Sequence, residues 1–126
     1  MSKPTVLIVE DSEIDQYIAK HVINKFSTDI KVIQAYDGQE AIDILNDLSH
    51  PPIFILLDIN MPRMNGHDFL QEFGSSNHKS TPIIMLTSSF QSDEKEKCMK
   101  HSSVIDFLTK PLEIQNIKVY LNKFDP

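Results

Sequence analysis

Five short, largely apolar runs recur along the chain, Thr5 to Val9, Lys31 to Ala35, Ile53 to Leu57, Ile83 to Leu86 and Val104 to Leu108, and each soon gives way to polar or charged residues. Runs this short and this continuously apolar fit strands buried on both faces, with the amphipathic stretches between them supplying the covering helices. The expected fold class is therefore α/β, a doubly wound, five-stranded parallel sheet built from five β/α units. Ile14, Tyr17, Ile18, Val22 and Phe26 recur at helical spacing and predict the buried face of the first helix. Asp37 followed three residues later by Glu40 reads as a capping-box start for the second, with Ala41, Ile42, Leu45 and Leu48 as its buried stripe. Phe69, Leu70 and Phe73 mark a short third helix, and Ile114, Ile117, Tyr120, Leu121 and Phe124 a fifth. The fourth, around Gln91 to Lys100, is highly charged, can bury little surface, and should be held least firmly.

A length of 126 residues accommodates these five units and predicts one domain, residues 1–126, with no output domain beside it. Hydrophobic residues make up 40 % of the chain, enough for a core without disulfides or a structural metal. The formal net charge of -6 argues against direct binding to nucleic acid or to anionic lipid. No apolar run approaches the roughly 18 to 20 residues of a membrane span, and the first residues meet acids too early for a signal peptide. The lone Cys98, with no motif around it, fits a reducing cytoplasm and reads as a half-buried packing residue. With only three glycines, Gly38, Gly66 and Gly74, the chain holds neither a P-loop nor a dinucleotide fingerprint.

In open doubly wound sheets, ligands bind outside the carboxyl ends of the strands. Reading only those positions yields Glu10 and Asp11 after the first run, Asp58 after the third, Thr87 and Ser88 after the fourth, and Lys110, before Pro111, after the fifth. Taken singly, each has an ordinary explanation: a solvated strand end or helix cap for the acids, a backbone-bonded hydroxyl for Thr87, a surface amine for Lys110. Together they are a site. Crowded carboxylates raise one another's pKa unless a cation offsets their repulsion, and an all-oxygen donor set suits magnesium rather than zinc or copper. The histidines at 21, 50, 67, 78 and 101 show no metal-ligand spacing. A carboxylate flanked by a metal, an ammonium and a hydroxyl is arranged to accept a phosphoryl group, a transfer that needs positioning and charge neutralisation above all.

Four segments in this order, VLIVED at 6–11, ILLDINMPRMNG at 55–66, IIMLTSS at 83–89 and DFLTKP at 106–111, make the whole chain resemble the receiver domains of two-component response regulators, of the chemotaxis-regulator type. The resemblance implies a strand order of 2-1-3-4-5 and a phosphoryl group passed to Asp58 from a histidine kinase or a histidine phosphotransfer protein. It implies that magnesium, for which manganese can substitute, is held by Asp11 directly, Glu10 through water, Asp58, and the backbone carbonyl of Asn60. Thr87 and Lys110 would contact the phosphoryl oxygens, Phe107 would be the switch aromatic, and the Lys110–Pro111 peptide would be cis. Phe107 has an alternative reading as a plain core aromatic. By the same resemblance the helix 4, strand 5 and helix 5 face would signal to a separate effector protein, with a phosphorylation-dependent homodimer among the expected assemblies. The first helix and the loops around Asp58 would receive the kinase.

The chain departs from the family's commoner residues at three places: Glu10 stands where Asp is usual, Ser103 and Val104 replace a small Gly-Ala pair, and Phe107 replaces a frequent Tyr. Two other readings stay open. A magnesium-dependent aspartyl-phosphate phosphatase also uses a strand-end Asp, but wants a second acid two residues on, where this chain has Asn60. A pseudo-receiver, an interaction module that is never phosphorylated, would make Asp58→Asn silent.

Overall fold

The computed structural model describes residues 4–59, 66–74, 80–88 and 92–124, the side chain of Phe124 excepted. Strands and helices alternate strictly: β1 (Thr5–Val9), α1 (Glu13–Phe26), β2 (Lys31–Ala35), α2 (Gly38–Asp47), β3 (Phe54–Asp58), α3 (Gly66–Gly74), β4 (Ile83–Thr87), α4 (Ser92–Met99), β5 (Val104–Thr109) and α5 (Ile114–Phe124). All pairings are parallel, in the order β2-β1-β3-β4-β5, as expected. The strand ends differ from the sequence reading in one way that matters: Asp58 and Thr87 are the last residues of β3 and β4 rather than the first beyond them. Their backbones are therefore held in the ladder, Asp58 opposite Leu86 and Thr87 opposite Thr109.

Alternation along the central strands divides the core in two. Val6, Ile8, Phe54, Leu56, Ile84 and Leu86 face α1 and α5, where they meet Ala19, Ile23, Ile117 and Leu121. Leu7, Val9, Ile55, Leu57, Ile83 and Met85 face the other helices and pack with Ala41, Leu45, Phe69, Phe73 and Cys98. Cys98 is completely buried, not half-buried. It is the one buried residue of α4, so that helix hangs on the sheet by a single small side chain. A polar tie supplements it: His67 of α3 lies 2.5 Å from the Glu94 carboxylate of α4.

Helix α1 corrects the sequence reading most. Its buried residues are Gln16, Ala19 and Ile23, whereas Ile14 and Tyr17, expected inside, are 72 % and 68 % exposed. Val22 and Phe26 line the edge of the core. The helix crosses the sheet on the small Ala19, and beyond it the seam under the first turns is lined by strand-end carbonyls. A polar side chain satisfies those groups and an aliphatic one cannot. Gln16 fills the seam, its Nε2 donating to the carbonyls of Ile8 (3.1 Å), Glu10 (3.1 Å) and Ala35 (2.8 Å). The α2 capping box forms as expected on its first arm, with Asp37 accepting from the Glu40 N–H at 2.8 Å; the return bond goes from the Tyr36 N–H to Glu40.

The Ser103–Val104 replacement is absorbed by a tight turn. The Val104 N–H donates to the His101 carbonyl at 3.0 Å, and the Ser103 carbonyl accepts from Ile83 at 2.8 Å. Pairing then skips a residue, Ile83 opposite Val104 but Ile84 opposite Asp106, and the extra residue of this irregularity, Ile105, is 38 % exposed on the edge strand.

One glycine is fixed by close approach. The N–H of Gly66 donates to the Ile59 carbonyl at 2.7 Å, and a Cβ there would sit 2.8 Å from both the Asp58 carbonyl oxygen and the Ile59 Cα. Gly74, at the other end of α3, has open space around its Cα. Gly66→Ala is expected to cost about 1 to 3 kcal/mol in urea unfolding, and Gly74→Ala to change stability by less than about 1 kcal/mol. Equal effects of the two would contradict the packing described.

Candidate functional site

At the carboxyl ends of β1 and β3 the topology brings Glu10, Asp11 and Asp58 together, each offering a carboxylate oxygen within 4.8 Å of the others. Glu10 and Asp58 are buried and Asp11 is exposed, so the cluster has two acids in the floor and one at the rim. Each is placed by backbone. The Glu10 N–H donates to the Ala35 carbonyl at 2.9 Å, its carbonyl accepts from Gln16, and its Oε2 accepts from the Ser12 N–H at 3.0 Å.

The single cation among these groups is Lys110. Its backbone N–H donates to the Thr87 carbonyl at 2.7 Å, and its peptide to Pro111 is cis, as expected. The ammonium donates to Glu10 and, at 2.9 Å, to Asp15 on α1, and stands 3.7 Å from Asp58 Oδ1. The sequence placed Lys110 against Asp58; in the structure its hydrogen bonds go to Glu10 and Asp15, and Asp58 is a longer-range ion pair. Thr87 is buried at the end of β4, one strand over from Asp58. Phe107 is buried on β5 opposite Met85, in the cluster that holds Cys98. Asn60 lies outside the described residues.

Two contributors escaped the sequence reading, Asp15 and Gln16. Asp15 had a local signal: Ser12 caps α1 by accepting from the Asp15 N–H at 3.3 Å, the start of a capping box. The reciprocal acceptor for the Ser12 N–H is Glu10, which leaves the Asp15 carboxylate free to reach Lys110. Gln16 had no signal, because an internal helix glutamine is most often solvated.

The charges leave a mark on proton affinity. Burial, reinforced by the nearby Asp58, pushes Glu10 from 4.5 up to about 7, although Lys110 and the Ser12 N–H pull the other way. Burial acts to lower Lys110, but the carboxylates of Glu10, Asp15 and Asp58 outweigh it and the ammonium is held above its ordinary value. The donor set is all oxygen, two of its three acids are buried, and one ammonium does not balance three carboxylates, so the cluster fits a hard divalent cation.

The comparisons with known proteins agree. The response regulator receiver domain model matches residues 6–122, and the chain belongs to that family, the phosphoacceptor domains of two-component signalling. It is 34 % identical over 112 residues to a protein-glutamate methylesterase/protein-glutamine glutaminase of Photorhabdus laumondii, covering 88 % of this chain and 31 % of that protein. It is 33 % identical over 115 residues to the luminescence regulatory protein LuxO of Vibrio campbellii, covering 91 % of this chain and 24 % of that one. The chain therefore spans about a third or less of these relatives' length, and the match to the methylesterase lies in a receiver portion. Among solved structures, a two-component response regulator from Legionella pneumophila superposes with a TM-score of 0.86 at 30 % identity, covering 97 % of this chain and 98 % of that one. Receiver domains bind magnesium through an acidic cluster of the kind formed here. No helix among the described residues is long and apolar enough to cross a membrane.

Two measurements follow from this geometry. Because folded Glu10 keeps a proton that the unfolded chain releases near 4.5, stability in chelator is expected to fall as pH rises from about 4.5 through about 7. Glu10→Gln flattens that stretch of the melting-temperature profile; an unchanged slope would sink the assignment. Gln16→Met, which keeps the shape but removes the amide donor shared by the Ile8, Glu10 and Ala35 carbonyls, is expected to cost about 1 to 3 kcal/mol in chemical unfolding.

Proposed function

We propose that Asp58 is the phosphoacceptor of this receiver, with Thr87 and Lys110 contacting the phosphoryl group and Glu10, Asp11, Asp58 and the Asn60 carbonyl holding magnesium, for which manganese can substitute. The observation that carries the reading is the single one of a buried strand-end Asp58 with two other acids within 4.8 Å and an ammonium 3.7 Å away. When bound, the metal supplies charge neutralisation for a phosphoryl group entering a cluster of acids. An Asp58 carboxylate oxygen forms the new bond to phosphorus, and the phosphorus–nitrogen bond of the donor phosphohistidine breaks, releasing a neutral imidazole after proton uptake. The donor is a histidine kinase or a histidine phosphotransfer protein. Support for its docking on α1 comes from Ile14 and Tyr17, large exposed apolar side chains within six residues of Asp11, the second stacked on His21 at 5.9 Å between ring centroids.

The chain acts as a signalling phosphoacceptor whose only chemistry is its own phosphorylation and dephosphorylation, and it hands its state to a separate effector. Two charge-assisted hydrogen bonds from Thr87 and Lys110 to the phosphoryl oxygens contribute roughly 3 to 6 kcal/mol, against about 5.5 kcal/mol for a near-complete two-state shift. That energy reaches the output face through β5, which carries Lys110 next to it, and through Phe107, packed in the cluster that anchors α4. Met99, Ile105 and Val119 give this face exposed apolar surface suited to an effector or to a second copy of the chain.

Incubation with acetyl phosphate and magnesium, followed by intact mass, is expected to add one phosphoryl group to the wild type and none to Asp58→Asn. An unmodified wild type would favour the pseudo-receiver, a modified Asp58→Asn would move the acceptor elsewhere, and turnover of a small phosphomonoester under magnesium would favour the phosphatase.

A further inference from the structure

Lys110 has three N–H donors, and the structure spends its two directed bonds away from Asp58. One goes to Glu10, beside the acceptor; the other goes to Asp15, in the first turn of α1 and outside the acidic cluster. The Lys110 side chain is only 13 % exposed while that of Asp15 is 34 % exposed, so Asp15 draws a nearly buried ammonium toward the rim. Asp58 Oδ1, at 3.7 Å, lies beyond hydrogen-bond reach of the same nitrogen. Asp15 is available for this because Glu10 has taken over its reciprocal role in the α1 cap.

We infer that Asp15 is a positioning residue that holds the Lys110 ammonium in a withdrawn seat, so that Asp15 competes with a phosphoryl group on Asp58 for it. The inference rests on the phosphoacceptor reading of Asp58. An acyl phosphate presents oxygens to the ammonium, which swings off Asp15 to bond them; a metal held by the cluster leaves Asp15 untouched, because that carboxylate is not part of it. The strength of the Asp15 contact thereby sets how much of the phosphorylated population has Lys110 engaged. A carboxylate one-third exposed is a weak competitor, of the size of a surface ion pair, and it tunes the switch without abolishing it.

The test is a double-mutant cycle read by beryllofluoride, a non-covalent mimic of the phosphoryl group on an aspartate, titrated with magnesium and followed by backbone NMR. Asp15→Asn is expected to tighten beryllofluoride binding about threefold to tenfold in the Lys110 background and to change nothing in a Lys110→Met background. An equal gain in both backgrounds would mean that Asp15 acts only as a nearby negative charge, and would overturn the inference, as would no gain or a loss in the first. A second readout needs no phosphoryl chemistry and no Lys110 substitution: in the metal-free protein the Lys110 ammonium nitrogen resonance moves in Asp15→Asn and stays in place in Glu13→Gln, the same charge change on an exposed α1 position. An unmoved resonance overturns the contact itself. If the wild type binds no beryllofluoride at all, the phosphoacceptor reading fails, and the competition inferred from it fails too, whereas the resonance still reports whether Asp15 seats Lys110.

Discussion

Three carboxylates at the ends of two adjacent strands are an unfavourable arrangement, and what makes it tolerable in this fold is one ammonium delivered from the sheet's edge. Lys110 pairs with Glu10, Asp15 and Asp58 at once, contacts that span β1, α1 and β3. The positions of these groups are dictated by the parallel sheet, because every strand ends on the same side and the residues at or just past those ends border one crevice. The remaining excess of negative charge follows from counting these groups. It is what makes the crevice receptive to a divalent cation and, with that cation, to phosphate.

The same end of the sheet has a second requirement, that of its backbone. Strand-end carbonyls at Ile8, Glu10 and Ala35 face α1, and a helix with an aliphatic stripe would offer them no side-chain donor. Gln16 resolves this with one amide and in doing so fastens the residue before Asp11. On the other side of the crevice Gly66 performs the complementary task, letting the start of α3 return close enough to donate to Ile59, directly after Asp58. Both acidic strand ends are thus held by a helix that follows them, one through a polar side chain and the other through the absence of any side chain.

This explains where the sequence was legible and where it was not. Strand number and extent were accessible because central strands buried on both faces must be apolar throughout, and the runs at 5–9, 53–57 and 83–86 match the observed strands to within a residue, while their order came from the resemblance. Glu10, Asp11, Asp58, Thr87 and Lys110 could be picked out because they follow those runs and the fold gathers whatever follows them. Periodicity failed on α1, since it scores residues by type and could not know that the seam beneath is lined with carbonyls. Ile14 and Tyr17 keep helical spacing yet lie outside, and Gln16 and Asp15, polar and therefore discounted, are the side chains that touch the site. The further partners of Lys110 were missed for a related reason: strand adjacency brings it within ion-pair range of Asp58, but α1 also carries Asp15 over the same crevice, and strand order alone does not record what a helix's first turn overhangs.

The site and the far edge of the molecule are joined by very little structure, which would give the proposed switch its economy. Between Lys110 and α4 lies one strand pair: the Lys110 N–H on the Thr87 carbonyl, then Leu108 opposite Leu86 and Phe107 opposite Met85. Phe107 belongs to the cluster that contains Cys98, the single buried residue of α4. On its other side β5 has no neighbouring strand, and its irregular pairing with β4 turns Ile105 outward. Displacing Lys110, which follows this edge strand, therefore strains no second strand pairing, and the element it reaches is the helix with the smallest stake in the core. The His67–Glu94 contact, which ties that helix to α3 close to Gly66, is one restraint that opposes it. A central strand carrying the same lysine would have two ladders to distort, which leaves less of the about 3 to 6 kcal/mol from the two charge-assisted hydrogen bonds proposed for Thr87 and Lys110 to reach the surface.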